Sequence, residues 1–182
     1  MRFLILILLI ALGWHYFASP KTRVQHAAGG EIKVTRGGVD ATLAAGEALD
    51  ETWMLFGADP GIVFGDAFFS GLPLSVARSL SVRYPDLGRC DSASASELHS
   101  RLQNVNLIAA DPAVDNVLRE AQSDYARRLN SNAARLCLAV QGRRVNVSHL
   151  ESGGSPMTFD DSLLHGHYLI DQARLVDCAT VM

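Results

Sequence analysis

The sequence predicts a mainly α domain behind an N-terminal apolar helix, with an α+β domain as the alternative. Three observations support this fold class. The chain opens on an unbroken apolar run, apolar residues recur at helical spacing between residues 40 and 56, and a capped amphipathic pattern occupies residues 111–129. At 182 residues, the chain is long enough for one domain of ordinary size.

The apolar run extends from Phe3 to Ala18 and follows a single basic residue, Arg2. At about 1.5 Å per residue it would form roughly 24 Å of helix, against about 30 Å of bilayer hydrocarbon. The span is short, but Trp14 and Tyr16 suit the headgroup level of a membrane. We therefore predict a signal-anchor or transmembrane helix at residues 1–18, which contacts the membrane through residues 3–18.

A cleaved signal peptide is the alternative for this segment, because cleavage requires small residues at positions −1 and −3. Cutting after Ala18 places Tyr16 at −3, and cutting after Ser19 places Phe17 there. Neither bulky side chain suits a signal peptidase site. The retained anchor is therefore favoured over a protein that is secreted or periplasmic after cleavage.

The basic residues that flank the segment nearly balance, with Arg2 before it and Lys21 and Arg23 behind it. The very short N-terminal tail resembles an export signal. We expect a single-pass protein of a bacterial inner membrane, with its domain in the periplasm.

Residues 19–38 contain glycine pairs and scattered charges, which predicts a tether, and only Ile32 to Val34 indicates a short strand. The globular domain is expected at residues 39–182. Its first helix is predicted from Asp40 to Phe56, because apolar residues fall on one helical face. These residues are Ala41, Ala45, Leu49, Trp53 and Phe56.

The middle of the chain is less regular. Residues 62–69 form the most apolar part of the domain and fit either a buried strand or a short helix. Residues 74–84 fit a helix, although residues 80–84 also alternate like a strand. A Ser/Ala linker at 92–96 then precedes a short helix that is predicted through Leu98, Leu102 and Val105.

The clearest helix begins at Asp111-Pro112, since Asp111 can cap it and proline suits its first turn. Residues 133–140 can form a further helix or, with residues 145–147, a hairpin, and the helix is slightly favoured. Asp160 begins a last element that includes Leu164, Tyr168 and Leu175. These assignments together give the mainly α prediction.

The charge distribution argues against nucleic acid as a partner. The formal net charge is −3, and the basic residues do not form blocks. Phosphate backbones require concentrated positive charge.

Three cysteines allow one disulfide and one free thiol in an oxidising compartment. Cys90 lies in a polar stretch and Cys178 near the C-terminus, whereas Cys137 stands between two leucines. The first choice is a disulfide between Cys90 and Cys178, with Cys137 as a buried apolar residue, and the second is Cys137 with Cys178.

Candidate chemistry is limited to one cluster. His165 and His167 flank a glycine, so both imidazoles can reach one metal ion if the segment is extended. A third ligand is not given by spacing, although His149 or Asp160 can approach. The sequence carries neither a nucleophile elbow nor a phosphate-binding or dinucleotide-binding glycine motif, so no catalytic residue and no cofactor is predicted.

These observations lead to two functional hypotheses. The first is a membrane-anchored or exported envelope protein that binds a protein partner, or serves as an accessory subunit, without catalysis. The alternative is a metal-assisted hydrolase that uses His165 and His167.

Overall fold

The structure is a computed structural model that describes residues 23–26, 31–36, 38–60, 67–89, 98, 100–129, 131, 133–157 and 164–182. The anchor predicted at residues 1–18 lies outside the described residues, as do Cys90 and Asp160. Within the described ranges, none of the helices combines the length and apolar character that crossing a membrane requires.

The domain is mainly β, so the mainly α prediction is wrong. The described strands are β1 (Arg23–His26), β2 (Glu31–Arg36), β3 (Val39–Pro60), β4 (Ala67–Pro73), β5 (Gln103–Ala109), β6 (Leu136–Ser152), β7 (Ser155–Pro156) and β8 (Gly166–Asp177). The described helices are α1 (Leu74–Ser81), α2 (Pro112–Leu129) and α3 (Cys178–Val181), with a 3-10 turn at Pro85–Gly88.

Five strands of the sheet close into a ring, in which β3 pairs with β4, β4 with β5, β5 with β8, β8 with β6, and β6 again with β3. The β5 and β8 strands are parallel, and the other neighbours are antiparallel. The first half of β3 leaves the ring and pairs with β2, which in turn pairs with β1. β3 and β6 therefore belong both to the ring and to this extension.

A bulge at Gln141 and Gly142 bends β6 where it pairs with β8. A Cβ atom at Gly142 would lie 2.1 Å from the carbonyl oxygen of Leu169, which is far inside van der Waals contact. Only glycine lets the two backbones approach this closely.

Helix α2 lies against all five strands of the ring. It begins as predicted, because Asp111 Oδ1 accepts hydrogen bonds from the backbone N–H groups of Ala113 at 2.7 Å and Val114 at 2.9 Å. Its apolar stripe then packs into the main core of the ring. The buried residues of that core include Val114, Leu118, Ala121, Trp53, Leu55, Phe69, Leu107, Leu138 and Ile170.

Two smaller cores cover the outer side of the sheet. One packs β2 and the first half of β3 against β5 and β8, with Ile32, Val34, Leu43, Ile108, Val145 and Leu169 buried. The other packs α1, the 3-10 turn and α3 against β3, β4 and β6, with Met54, Leu72, Leu80, Leu87, Cys137 and Cys178 buried.

The turns at opposite ends of the strands define two ends of the molecule. We call the end with the turns between β2 and β3 and between β6 and β7 the turn end, where the Gly153 N–H donates to the Gly38 carbonyl oxygen at 3.3 Å. We call the end with α1, α3 and the cysteine pair the disulfide end. Helix α2 runs from the first toward the second.

Residues Asp40 to Phe56, predicted as a helix, lie within strand β3, and their apolar side chains pack in different cores. Ala41 is buried in the outer core with β2, Trp53 in the ring core, and Phe56 packs against the outer core with α1. Spacings of four residues fall on one face of a regular strand as well as of a helix, because four is a multiple of two. The register shifts of β3 nevertheless place Ala41 and Trp53 in different cores. The pattern therefore did not distinguish the two structures.

Other assignments also change. Residues 136–140 belong to one continuous strand, β6, and form neither the favoured helix nor a hairpin turn at Gln141. Strands β1 and β2 lie within the stretch predicted as a tether, and Ile32 and Val34 are buried, so these strands are part of the folded domain. The predicted helices at α1 and α2 are confirmed.

Candidate functional site

Of the two histidines proposed as metal ligands, His167 is the second residue of β8 and His165 lies one residue before the strand. In the parallel register His167 pairs with Asn106 of β5, and His165 lies beside Asn104, two residues earlier on the same strand. His167 stands on the outer side of the sheet, because Leu169, two residues further along β8, is buried in the outer core with β2. The ring of His165 instead contacts the backbone of β5.

The backbone of β5 contacts the His165 ring. Its Nδ1 accepts a hydrogen bond from the Asn104 backbone N–H at 2.9 Å, and the His165 N–H donates to the Asn104 carbonyl oxygen at 2.7 Å. One strand further, Ser70 Oγ donates to Asn104 Oδ1 at 2.6 Å. Ser70, Asn104 and His165 therefore form a polar row across β4, β5 and β8.

His167 forms a second, buried row with Asn106. Its Nδ1 lies 3.1 Å from Asn106 Nδ2, and both residues are buried. His167 also lines a cavity of about 230 Å³ beside β6 and β7. The sequence contained no signal for the two asparagines, because 61 residues separate each from its histidine.

The geometry around His165 does not favour a metal ligand. A backbone N–H can only donate, so Nδ1 of this ring carries a lone pair and the proton of the neutral ring lies on Nε2. Metal-bound histidines usually show the reverse arrangement, in which the nitrogen away from the metal donates its N–H. The ring is better described as part of the hydrogen-bonded sheet.

The third ligand that the sequence suggested does not complete a site. His149 pairs with Thr42 on the exposed face of β6, whereas the next residue, Leu150, faces the core. Its Nε2 contacts Glu151 Oε2 at 3.2 Å. Among the described residues, no three His, Cys, Asp or Glu side chains are close enough to share a metal ion. A metal site at His165 and His167 stays a prediction.

The disulfide joins Cys137 at the start of β6 to Cys178 at the start of α3, with their Cα atoms 5.1 Å apart. This is the second pairing that the sequence suggested, and it replaces the first choice of Cys90 with Cys178. The expectation of an isolated, buried Cys137 was half correct, because both bonded cysteines are fully buried. Leu136 pairs with Asp177 in the sheet, and this register places the two cysteines side by side.

Further contacts hold the disulfide end. Arg135 is 4% exposed, its guanidinium lies 3.9 Å above the centre of the Phe56 ring, and its Nε donates to the Leu87 carbonyl oxygen at 3.0 Å. Arg78 of α1 donates twice to the carbonyl oxygen of Val181 in α3, at 2.6 and 3.1 Å. These bonds connect α1, α3 and the loop before β6.

Three large apolar side chains at the disulfide end are exposed to solvent. Val82 follows α1, Leu129 ends α2 and Met182 follows α3, with exposed fractions of 89%, 51% and 41%. Arg128 links the end of α2 to this region, because its Nη1 lies 3.9 Å from Asp177 Oδ2. Leu129 ends the amphipathic pattern recognised at residues 111–129, and its side chain is nevertheless exposed.

At the turn end, an ion pair connects β2 to α2. Arg36 Nη2 lies 4.0 Å from Asp115 Oδ1, and Arg119 contacts the other oxygen of the same carboxylate at 3.0 Å. Burial lowers the pKa of the Arg36 guanidinium from its ordinary value, while the Asp115 carboxylate acts in the opposite direction.

In comparisons with known proteins, the chain matches no family model, no curated protein and no solved structure.

Proposed function

We propose that the chain is an envelope protein, anchored through residues 3–18, whose domain folds in an oxidising compartment and acts by binding another protein. The observation that carries the location is the buried disulfide between Cys137 and Cys178. Structural disulfides persist in extracytoplasmic compartments and are rare where thiols are kept reduced. The apolar N-terminal segment supports the same location independently, because it suits an export signal.

The exposed apolar residues at the disulfide end support a binding role. Val82, Leu129 and Met182 stand at the ends of three helices that are tied together by the contacts of Arg78, Arg128 and the disulfide. Exposed apolar side chains are typical of the centre of a protein interface, where a partner removes them from water. We therefore place the partner at the disulfide end.

Site-specific photocrosslinking in intact cells tests this proposal. A photoreactive residue at Val82 of the full-length chain should give a discrete adduct, and a photoreactive residue at Lys33, exposed on β2, is the matched control. Combining the photoreactive residue at position 82 with Leu129→Asp should reduce the adduct, because a charge at Leu129 disfavours an apolar contact. Equal adducts from both positions, or none from position 82, would contradict a partner at this end.

A further inference from the structure

The start of β1 lies close to the predicted membrane segment along the chain. Five peptide steps separate Ala18, the last residue of that segment, from Arg23, the first residue of β1. Even a fully extended chain covers at most about 18 Å in this distance. Arg23 must therefore lie within that distance of the end of the membrane segment.

Arg23 lies at the turn end of the sheet. It pairs with Thr35, Thr35 pairs with Asp40, and Asp40 pairs with Glu151, so one row crosses β1, β2, β3 and β6. Neighbouring strands are about 4.8 Å apart, which places the two ends of this row about 14 Å from each other. The turns at Gly38 and Gly153 follow directly beyond it.

Helix α2 shows how far the disulfide end lies from this row. Asp115 in its first turn contacts Arg36 at the turn end, and Arg128 in its last turn contacts Asp177, which precedes α3. Thirteen residue steps separate Asp115 from Arg128, and they correspond to about 20 Å of helix. The two ends are thus separated along the helix axis.

We infer that the turn end of the domain faces the lipid headgroups and that the disulfide end points away from the bilayer. This inference rests on the proposed anchor, and it adds the orientation of the domain on the membrane. It also explains why a partner would meet the disulfide end, because that end is the one displaced toward the aqueous compartment.

The surface chemistry of the turn end fits a headgroup layer without requiring anionic lipid. Residues Ser152 to Met157 are all exposed, and Pro156 and Met157 add apolar surface to this end. Opposite charges accompany each other here, with Arg23 on the same row as Asp40 and Glu151. We therefore expect the contact to form on zwitterionic phosphatidylcholine.

Fluorescence quenching by lipid tests the orientation. The full-length chain carrying Cys90→Ala is labelled at a single added cysteine, either Ser155→Cys at the turn end or Val82→Cys at the disulfide end, while the native disulfide stays intact. Both positions are exposed, so neither label disturbs a core. Each protein is reconstituted into phosphatidylcholine vesicles that contain a lipid with a nitroxide on its headgroup, and flotation with the vesicles is recorded in parallel.

The label at position 155 should lose most of its fluorescence, and the label at position 82 should keep it. If the chain floats with the vesicles but the label at 155 is unquenched, or the label at 82 is quenched equally, the anchor stands and the orientation is wrong. If the chain does not float, the anchor itself fails and the orientation falls with it.

Discussion

The two ends of this domain are held by different interactions. At the turn end, strand pairing, tight turns and the ion pair of Arg36 with Asp115 join the elements. At the disulfide end, helices cover the sheet, a covalent bond joins β6 to α3, and the buried Arg135 stacks on Phe56. Helix packing, a covalent bond and a buried side-chain stack resist local opening more than exposed strand edges do.

The two ends therefore differ in what opens when each of them unfolds locally. The strand at the edge of the turn end, β1, is four residues long and mostly exposed, so opening it exposes little apolar surface. Opening β2 would expose the outer core around Ile32 and Val34, whereas opening the disulfide end would expose a core of similar size and is also restrained by a covalent link. Under the proposed function, the covalently linked disulfide end carries the partner surface, and the short edge strand β1 is the element next to the membrane segment.

The largest effect is expected from the disulfide. Cys178→Ala removes a bond that joins residues 41 apart, and the chain-entropy model gives about 4 kcal/mol for a loop of this size. Urea unfolding of the oxidised protein, with and without a reductant, measures this loss. Cys90→Ala is the control and should leave stability unchanged, so a large loss in that variant would restore the pairing of Cys90 with Cys178.

Arg135→Ala should have the next largest effect. It removes the stacking on Phe56 and leaves the Leu87 carbonyl oxygen without its donor, which we expect to cost about 2 to 3 kcal/mol in the free energy of unfolding. The matched control is Arg127→Ala on the surface of α2, with an expected change below about 0.5 kcal/mol. Similar losses in the two variants would mean that Arg135 does not stabilise this end.

A turn-end substitution should cost less. Gly154 has φ of 78°, so Gly154→Ala strains the backbone. No atom lies near the added Cβ, so this strain is the only expected cost, about 1 to 2 kcal/mol in the free energy of unfolding. Gly88 has equal space and no positive φ, so Gly88→Ala should change stability by less than about 0.5 kcal/mol. A loss from Gly154→Ala as large as that from Arg135→Ala would remove the contrast between the ends.

Metal removal should have the smallest effect on stability. Nδ1 of His165 accepts a backbone hydrogen bond, so the ring is not arranged as a metal ligand. Protein purified without an affinity tag should contain less than about a tenth of an equivalent of zinc, and a chelator should leave its melting temperature unchanged. A stoichiometric metal that is lost in His165→Ala would instead establish the metal site between the two ends.

Helix α2 could be predicted because its signals are local. Asp111, Pro112 and the apolar stripe lie within one segment and act on that segment alone. Strand β3 could not, because its apolar residues face three cores that are built by strands distant in sequence. The bulge between Ala45 and Ala48 also changes the register within the strand, so inward-facing and outward-facing residues do not alternate regularly along the sequence.

The candidate site, too, could be predicted from the sequence only in part. The sequence predicted that His165 and His167 share a face of an extended segment, but only His167 lies in β8, and the ring of His165 contacts the β5 backbone just before that strand. Their partners Asn104 and Asn106 follow from the parallel pairing of β5 with β8, which local sequence does not specify. The same holds for the cysteines, since the choice between Cys90 and Cys137 depends on the pairing of β6 with β8.

The sequence by itself determined the apolar N-terminal segment, the charge distribution that argues against nucleic acid, and the capped helix α2, because these properties depend on composition or on neighbours within a few turns. Only the tertiary structure decided that residues 39–60 form a strand, that Cys137 bonds to Cys178, and that the start of β1 lies at the turn end. Strand pairing joins residues that are far apart in sequence, and its free energy comes from contacts that exist only once the sheet has closed.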